Sequence, residues 1–224
     1  MELLENYNLT QENKENLVKF LDIFLEWNNK INLSGLKDKD EILEKHFIDS
    51  IFLNKFLNKG KAIDIGTGGG FPGMVLAIIN PHISFTLVDS VNKKTNFLLE
   101  VKEKLNLENV EVINGRAEDL PKNLKESFDY GFARAVGRLN TLLEYVIPYL
   151  KIDGIFIAQK GPKFEEELLE AKNAFDTLKS KVVNVEKFLL PVSKQERIAL
   201  IVKKIDKNDE KFPRKASLTS KKPL

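Results

Sequence analysis

Lys61-Ala-Ile-Asp-Ile-Gly-Thr-Gly-Gly-Gly-Phe-Pro-Gly73 carries the reading of the fold. A short β-type run, Lys61 to Ile65, is followed by four glycines in five positions and then by an apolar run that ends at Ile79. A strand that breaks in a glycine loop and enters a helix is the opening of a βαβ unit. Outward from it the alternation continues. Strands are expected at 61–65, 84–89, 110–114, 128–133 and 154–158, with helices at 73–79, 92–105, 139–150 and 163–179. This pattern predicts an α/β, Rossmann-like fold with a mostly parallel sheet and right-handed crossovers. Residues 182–204 hold two more β-type runs with only Pro191-Val-Ser-Lys-Gln-Glu196 between them. No helix fits there, so an antiparallel C-terminal edge hairpin is expected.

Upstream, residues 1–59 read as an N-terminal helical extension. Leu17, Phe20, Leu21, Phe24 and Asn28 recur at the spacing of one helical face, apolar at all but the last, and Thr10 is the expected N-cap. Ile42, Leu43, Phe47, Ile51 and Phe52 repeat the rhythm over 40–57, after a turn at Asn32-Leu-Ser-Gly35. One domain is expected: the extension, a core over 60–204, and a basic tail over 205–224.

Two cofactors compete for the glycine loop. Gly68, Gly70 and Gly73 spell the dinucleotide fingerprint G-x-G-x-x-G, but that register starts two residues too far from the strand. The register that starts at Gly66 puts Phe71 where a pyrophosphate needs a third glycine. S-adenosylmethionine carries no phosphate and tolerates a looser loop. It carries a sulfonium and an ammonium, which Asp64 is expected to face. Asp89, at the end of the second strand, is placed to accept hydrogen bonds from ribose hydroxyls and suits either cofactor.

Composition narrows the chemistry. The absence of cysteine from the 224 residues excludes disulfides, thiolate metal sites and a cysteine nucleophile. With only His46 and His82 as histidines, a histidine-rich metal site is excluded too. The opening MELLENYNLT is polar and acidic, unlike a secretory leader, and no apolar run is long enough for a membrane span. A cytoplasmic monomer is expected. Lys203 to Leu224 carries +5 while the other 202 residues sum to −3. Such a tail either contacts a polyanion or is a solvated terminus.

Gly115-Arg-Ala-Glu-Asp119 follows the third strand, where its backbone and Glu118 would meet an adenine ring or simply face solvent. Arg134 ends the fourth strand as an anion or base contact, or as a partner for Asp129 or Glu144. His46, Asp49 and Ser50 share a helical face and superficially suggest a hydrolase triad. No G-x-S-x-G elbow accompanies them, so they read as a polar network that ties the extension to the core or floors the pocket.

Several stretches together resemble the RsmG (GidB) family: Trp27-Asn-Asn-Lys-Ile-Asn-Leu-Ser34, His46-Phe-Ile-Asp-Ser50, the loop Asp64 to Gly73, and Leu87-Val-Asp-Ser90 with Lys93 and Lys94. Arg134-Ala135, Lys160-Gly161, Phe212-Pro-Arg-Lys215 and Lys221-Lys-Pro-Leu224 continue it, so the resemblance spans essentially the whole chain in order. Ser217 and Thr219 depart from the family pattern. The resemblance implies a class I methyltransferase that methylates N7 of a guanine, conventionally numbered 527, in 16S ribosomal RNA of the small subunit. By it, Gly66, Gly68, Phe71, Ala117, Glu118 and Arg134 would contact S-adenosylmethionine and Asp89 its ribose. Lys160, Arg197, Arg214, Lys215, Lys221 and Lys222 would contact RNA.

Guanine N7 has an exposed lone pair and no proton, so no catalytic base is expected, only orientation. No metal is expected either, since no metal-ligand spacing occurs in the sequence. A methyltransferase for another substrate, an NAD-linked oxidoreductase and a non-enzymatic assembly factor are the rival readings.

Overall fold

A computed structural model describes residues 2–134, 137–162 and 164–224. After a single turn, α1 (Glu2–Glu5), the Thr10 hydroxyl accepts the Asn13 N–H while the Asn13 side chain takes the Thr10 N–H. This reciprocal cap starts α2 (Gln11–Ile31), whose buried face is the one expected, Asn28 included, with Ile23 added. The second helical stretch is less regular than its spacing suggests. Asp38 caps α3 (Lys39–Ile42), which widens to a π-helical stretch (Leu43–Ile48), returns as α4 (Asp49–Ile51) and tightens into a 3-10 turn (Phe52–Phe56).

The expected strand–loop–helix follows as β1 (Lys61–Ile65) and α5 (Gly73–Ile79), then β2 (Ser84–Asp89), α6 (Asn92–Lys104) and β3 (Val110–Asn114). The fourth strand, β4 (Phe128–Arg134), reaches one residue further than expected. Two helices differ from their sequence reading. α7 (Leu139–Val146) stops short of 150, because Pro148 has no N–H to continue the ladder and Ile147–Tyr149 tightens into a 3-10 turn. Leu150 already belongs to the long strand β5 (Leu150–Lys160), of which only the inner part was expected. The stretch expected at 163–179 is two helices, α8 (Phe164–Glu170) and α9 (Lys172–Thr177). They break at Ala171, whose ψ of 2° leaves the helical range while its small side chain is buried. Lys163, where that helix was expected to start, lies outside the described residues, as does Ala135. The hairpin is present as β6 (Ser180–Leu189) and β7 (Glu196–Lys204), and the tail ends in α10 (Ala216–Lys221).

The seven strands lie in the order β3-β2-β1-β4-β5-β7-β6. All neighbours from β3 to β5 are parallel, and β7 runs antiparallel to both β5 and β6. Strand side chains alternate between two cores. Ala62, Phe85, Phe132 and Ile157 face the extension, α5 and α6; Ile63, Ile65, Val88 and Ala133 face α7, α8 and α9. The order reverses at β1, which has β2 on one side and β4 on the other. In open parallel sheets, ligands bind at the carboxyl ends of the strands beside that reversal. No helix among the described residues is long and apolar enough to cross a membrane.

Candidate active site

A cavity of about 900 Å³ opens at the carboxyl ends of the strands. It falls within the size range of small-molecule sites, roughly 300–1,000 Å³. Its first wall is the glycine loop. Gly66 and Thr67 both donate to Val88 O, at 2.9 and 3.0 Å, which carries the β1–β2 pairing into the loop. Gly68 then turns left-handed at φ +59°, where its N–H donates to Asp89 Oδ2 at 2.9 Å. Glycine adopts that conformation with no Cβ penalty. Gly73 serves another purpose: a Cβ there would lie 2.4 Å from Leu87 Cδ2, so its bare backbone lets α5 sit on the sheet.

Asp64 departs from its expected role. It shares the Ala62 side of β1 and does not line the cavity. Oδ2 accepts the Thr67 hydroxyl at 2.7 Å and the Gly73 N–H at 2.9 Å, while Oδ1 is buried with no partner. Asp64 therefore braces the loop from beneath. Complete burial pushes its carboxyl up to about 6, against those two hydrogen bonds.

Gly66, Gly68, Phe71, Asp89, Ala117, Glu118, Arg134, Lys160 and Arg197 all line the cavity. They divide between its two ends. At the β1–β3 end, Asp89 accepts Gly68 N–H on one oxygen and Val91 N–H, at 2.9 Å, on the other. Each oxygen keeps a free lone-pair direction. The Tyr149 hydroxyl donates to Ala117 O and fixes the Ala117–Asp119 turn. Glu118 accepts the Ala216 N–H at 3.2 Å, so the tail touches the cavity wall here.

The other end lies over β4, β5 and β7, and the helical extension supplies half of it. Arg134 pairs with Asp49 at 3.5 Å, and its guanidinium carbon sits 5.1 Å from the centre of the Phe71 ring. The partners weighed for it from sequence, Asp129 and Glu144, are elsewhere: Asp129 pairs with Lys151 and Glu144 with Arg214. Asp49 also pairs with Arg197 at 3.4 Å and accepts Gln159 Nε2 at 3.0 Å. Burial still pushes the Asp49 carboxyl up, opposed by the two arginines. His46 stacks on Phe71 with ring centres 4.8 Å apart, and Arg134 Nη2 lies 3.2 Å from its Nδ1. Burial and the Arg134 cation hold His46 down at about 3. Of the trio, His46 and Asp49 form the network that both ties the extension to the sheet and floors the cavity; Ser50 only donates to His46 O and does not line the cavity.

The expected RNA contacts are dispersed. Lys160 is almost fully buried and bonded to Glu167 and Gly137 O. Arg214 clasps the fully buried Glu144 with two guanidinium nitrogens and its backbone N–H, which straps the tail to α7. Lys215, Lys221 and Lys222 are exposed on the tail. Sequence reasoning overlooked Gln159, and it quoted Ser34, Lys94 and Asn28 without assigning them a place in the site. Gln159 sits beside Lys160 at the carboxyl end of β5, where the strand-end rule would have found it. Asn28 and Ser34 lie inside the quoted Trp27–Ser34 stretch but carry no chemical signature by themselves. No group of acidic or histidine side chains suited to a metal occurs among the described residues.

Known proteins resemble this chain at two levels. Solved structures share its fold: an S-adenosylmethionine-dependent methyltransferase from Aquifex aeolicus superposes with a TM-score of 0.56 at 20% identity, over 74% of this chain and 93% of its own. A 16S rRNA (adenine(1408)-N(1))-methyltransferase from Catenulisporales acidiphilia gives 0.56 at 15%, over 72% and 92%. Sequence relatives are far nearer. The ribosomal RNA small subunit methyltransferase G of Fusobacterium nucleatum is 47% identical, over 95% of this chain and 93% of its own length. That of Alkaliphilus metalliredigens is 40% identical over 97% and 93%. Residues 13–198 match the GidB family model, described as rRNA small subunit methyltransferase G. The chain belongs to the GidB family of rRNA small subunit methyltransferases.

Proposed function

We propose that this enzyme moves a methyl group from S-adenosylmethionine to N7 of a guanine in 16S ribosomal RNA of the small subunit, acting as a monomer in the cytoplasm. The observation that carries the cofactor assignment is the β1–β3 end of the cavity. The left-handed turns at Gly66 and Gly68 let a ligand approach closely, and Asp89 beside them has a spare lone pair on each oxygen. A ribose diol suits that carboxylate, and the Ala117–Glu118 turn suits the adenine beyond it. Phe71 closes the loop side and Arg134 stands over its ring. These donors and acceptors match the cofactor without any pyrophosphate-binding feature.

When bound, the cofactor supplies an electrophilic methyl group on a sulfonium. The chain's own part is to hold an acceptor atom in line with it. Guanine N7 needs no deprotonation, and the residues fit that demand. His46 stays neutral at physiological pH with both ring nitrogens engaged, and Asp64 is sealed beneath the loop. Positive charge passes to the purine during transfer, and the buried Asp49 carboxyl, shared by Arg134 and Arg197, lies in the cavity wall at the β4 end. Lys215, Lys221 and Lys222 would meet RNA phosphates on the exposed tail, with Arg214 as its anchor. Lys160 and Arg197 would contact RNA only by loosening their pairs with Glu167 and Asp49.

Calorimetry of S-adenosylmethionine binding tests the cofactor site directly. Asp89→Ala should weaken affinity roughly 10- to 100-fold, the worth of hydrogen bonds to a charged group. Unchanged affinity in that variant would remove the ribose assignment.

A further inference from the structure

The turn that follows α2 is held with unusual completeness. Asn32 ends the helix left-handed at φ +54°. The buried Asn28 then uses both ends of its amide: Oδ1 accepts the Ser34 N–H at 2.7 Å and Nδ2 donates to Leu36 O at 2.8 Å. Residues 33, 34 and 36 thereby form part of the cavity wall.

Ser34 Oγ has two further neighbours. The Leu36 N–H donates to it at 3.2 Å, and His46 Nε2 lies 2.8 Å away. Which of that second pair is the donor depends on the imidazole tautomer. Arg134 decides it. A guanidinium nitrogen offers only protons, and Nη2 stands 3.2 Å from Nδ1, so Nδ1 must present its lone pair. A proton on Nδ1, which the Lys45 carbonyl at 3.1 Å would accept, would set two N–H groups against each other. The same guanidinium and the burial of the ring keep a second proton off it. Nε2 therefore carries the hydrogen and donates to Ser34.

With Nε2–H and the Leu36 N–H as its two donors, Ser34 Oγ has both lone pairs occupied. Its own proton is left over, and among the described residues no side chain or carbonyl takes it. Ser34 is thus fixed as a hydrogen-bond donor that faces the cavity, and it cannot turn round to accept. It belongs to the β4 end, joined through His46 to Arg134. Asp89, on β2, is two strands away across β1, at about 5 Å per strand.

Along the edge of guanine that carries N7, the neighbouring group is the O6 carbonyl, an acceptor; in adenine it is an amino group, a donor. We infer that the Ser34 hydroxyl donates to O6 of the target guanine, and so selects guanine over adenine at the N7 edge. This rests on the reading of the reaction as guanine-N7 methylation. Ser34 is a specificity-determining contact, Asn28 and His46 position it, and Arg134 sets the tautomer.

The test uses small subunits reconstituted with guanine or 2-aminopurine at the target position. The analogue keeps N7 and lacks the O6 acceptor. The native enzyme should prefer guanine by about 10-fold in kcat/KM, the size of one neutral hydrogen bond lost with its acceptor. Ser34→Ala should erase that preference by slowing guanine alone, and Ser34→Thr, which keeps the hydroxyl, should restore it. Affinity for S-adenosylmethionine should stay unchanged in both variants. A parallel loss on the two bases would mean that Ser34 only holds its turn. A weakened cofactor affinity would assign the proton to the cofactor instead. Either result overturns the inference while leaving guanine-N7 methylation standing. If the native enzyme fails to modify the guanine subunits at all, the reading of the reaction falls with it.

Discussion

Asp64 has two donors on one oxygen and none on the other, in full burial. Its carboxyl is raised to about 6, so the folded state holds that proton more tightly than the unfolded chain does. An acid raised on folding stabilises most where it is protonated in both states. That contribution is lost as pH climbs from the ordinary carboxylate range towards 6. Asp64→Asn keeps an acceptor for Thr67 and Gly73 and removes the titration. Its melting temperature should therefore gain on the native chain's as pH rises from about 4 to 6 and keep that margin above. A constant difference across that interval would refute the burial account. Asp89 and the loop glycines were legible from their position at strand ends. The orientation of Asp64 was misjudged, although period-two alternation puts it with Ala62, on the side of β1 that packs beneath α5. The hydroxyl role inferred for Ser34 could not be read at all, since it depends on a tautomer set by a residue a hundred positions away.

At the scale of elements, the joint between β1 and α5 depends on one missing side chain. A Cβ on Gly73 would meet Leu87 Cδ2 at 2.4 Å and Asp64 Oδ2 at 2.7 Å. Gly73→Ala should cost about 1–3 kcal/mol, as overpacking of a tight core does, measured by urea unfolding. A neutral result would show that the helix can shift away from the sheet. β1, β2 and β3 were legible to the residue because each is a short apolar run bounded by polar or glycine residues. The helices expected at 139–150 and 163–179 were drawn too long. Apolar spacing alone does not register that Pro148 lacks a donor, nor that Ala171 turns out of the helical range. The π-helical stretch over Leu43–Ile48 leaves no trace in the spacing that predicted one helix there.

The whole molecule joins a parallel sheet, an extension and a tail at one cavity. The sheet and its edge hairpin follow from the alternation of elements. The meeting of extension and tail at the site does not, because it depends on long-range polar pairs: Asp49 with Arg134 and Arg197, and Glu144 with Arg214. The tail's strap leaves Lys215, Lys221 and Lys222 exposed. Replacing all three by alanine should flatten the dependence of log affinity for 16S RNA on log salt by roughly 0.7 per phosphate contact removed. S-adenosylmethionine affinity should not move. An unchanged slope would take RNA contact away from the tail.

The central claim is methylation of N7 of one guanine in 16S RNA, and the chemistry of the product tests it most directly. Small subunits treated with enzyme and S-adenosylmethionine would be extracted, and their RNA exposed to borohydride and then aniline, which cleave at 7-methylguanine. The account predicts a single new cut in the 16S RNA, at the guanine conventionally numbered 527. An RNA that accepts a labelled methyl group and remains uncut would contradict it.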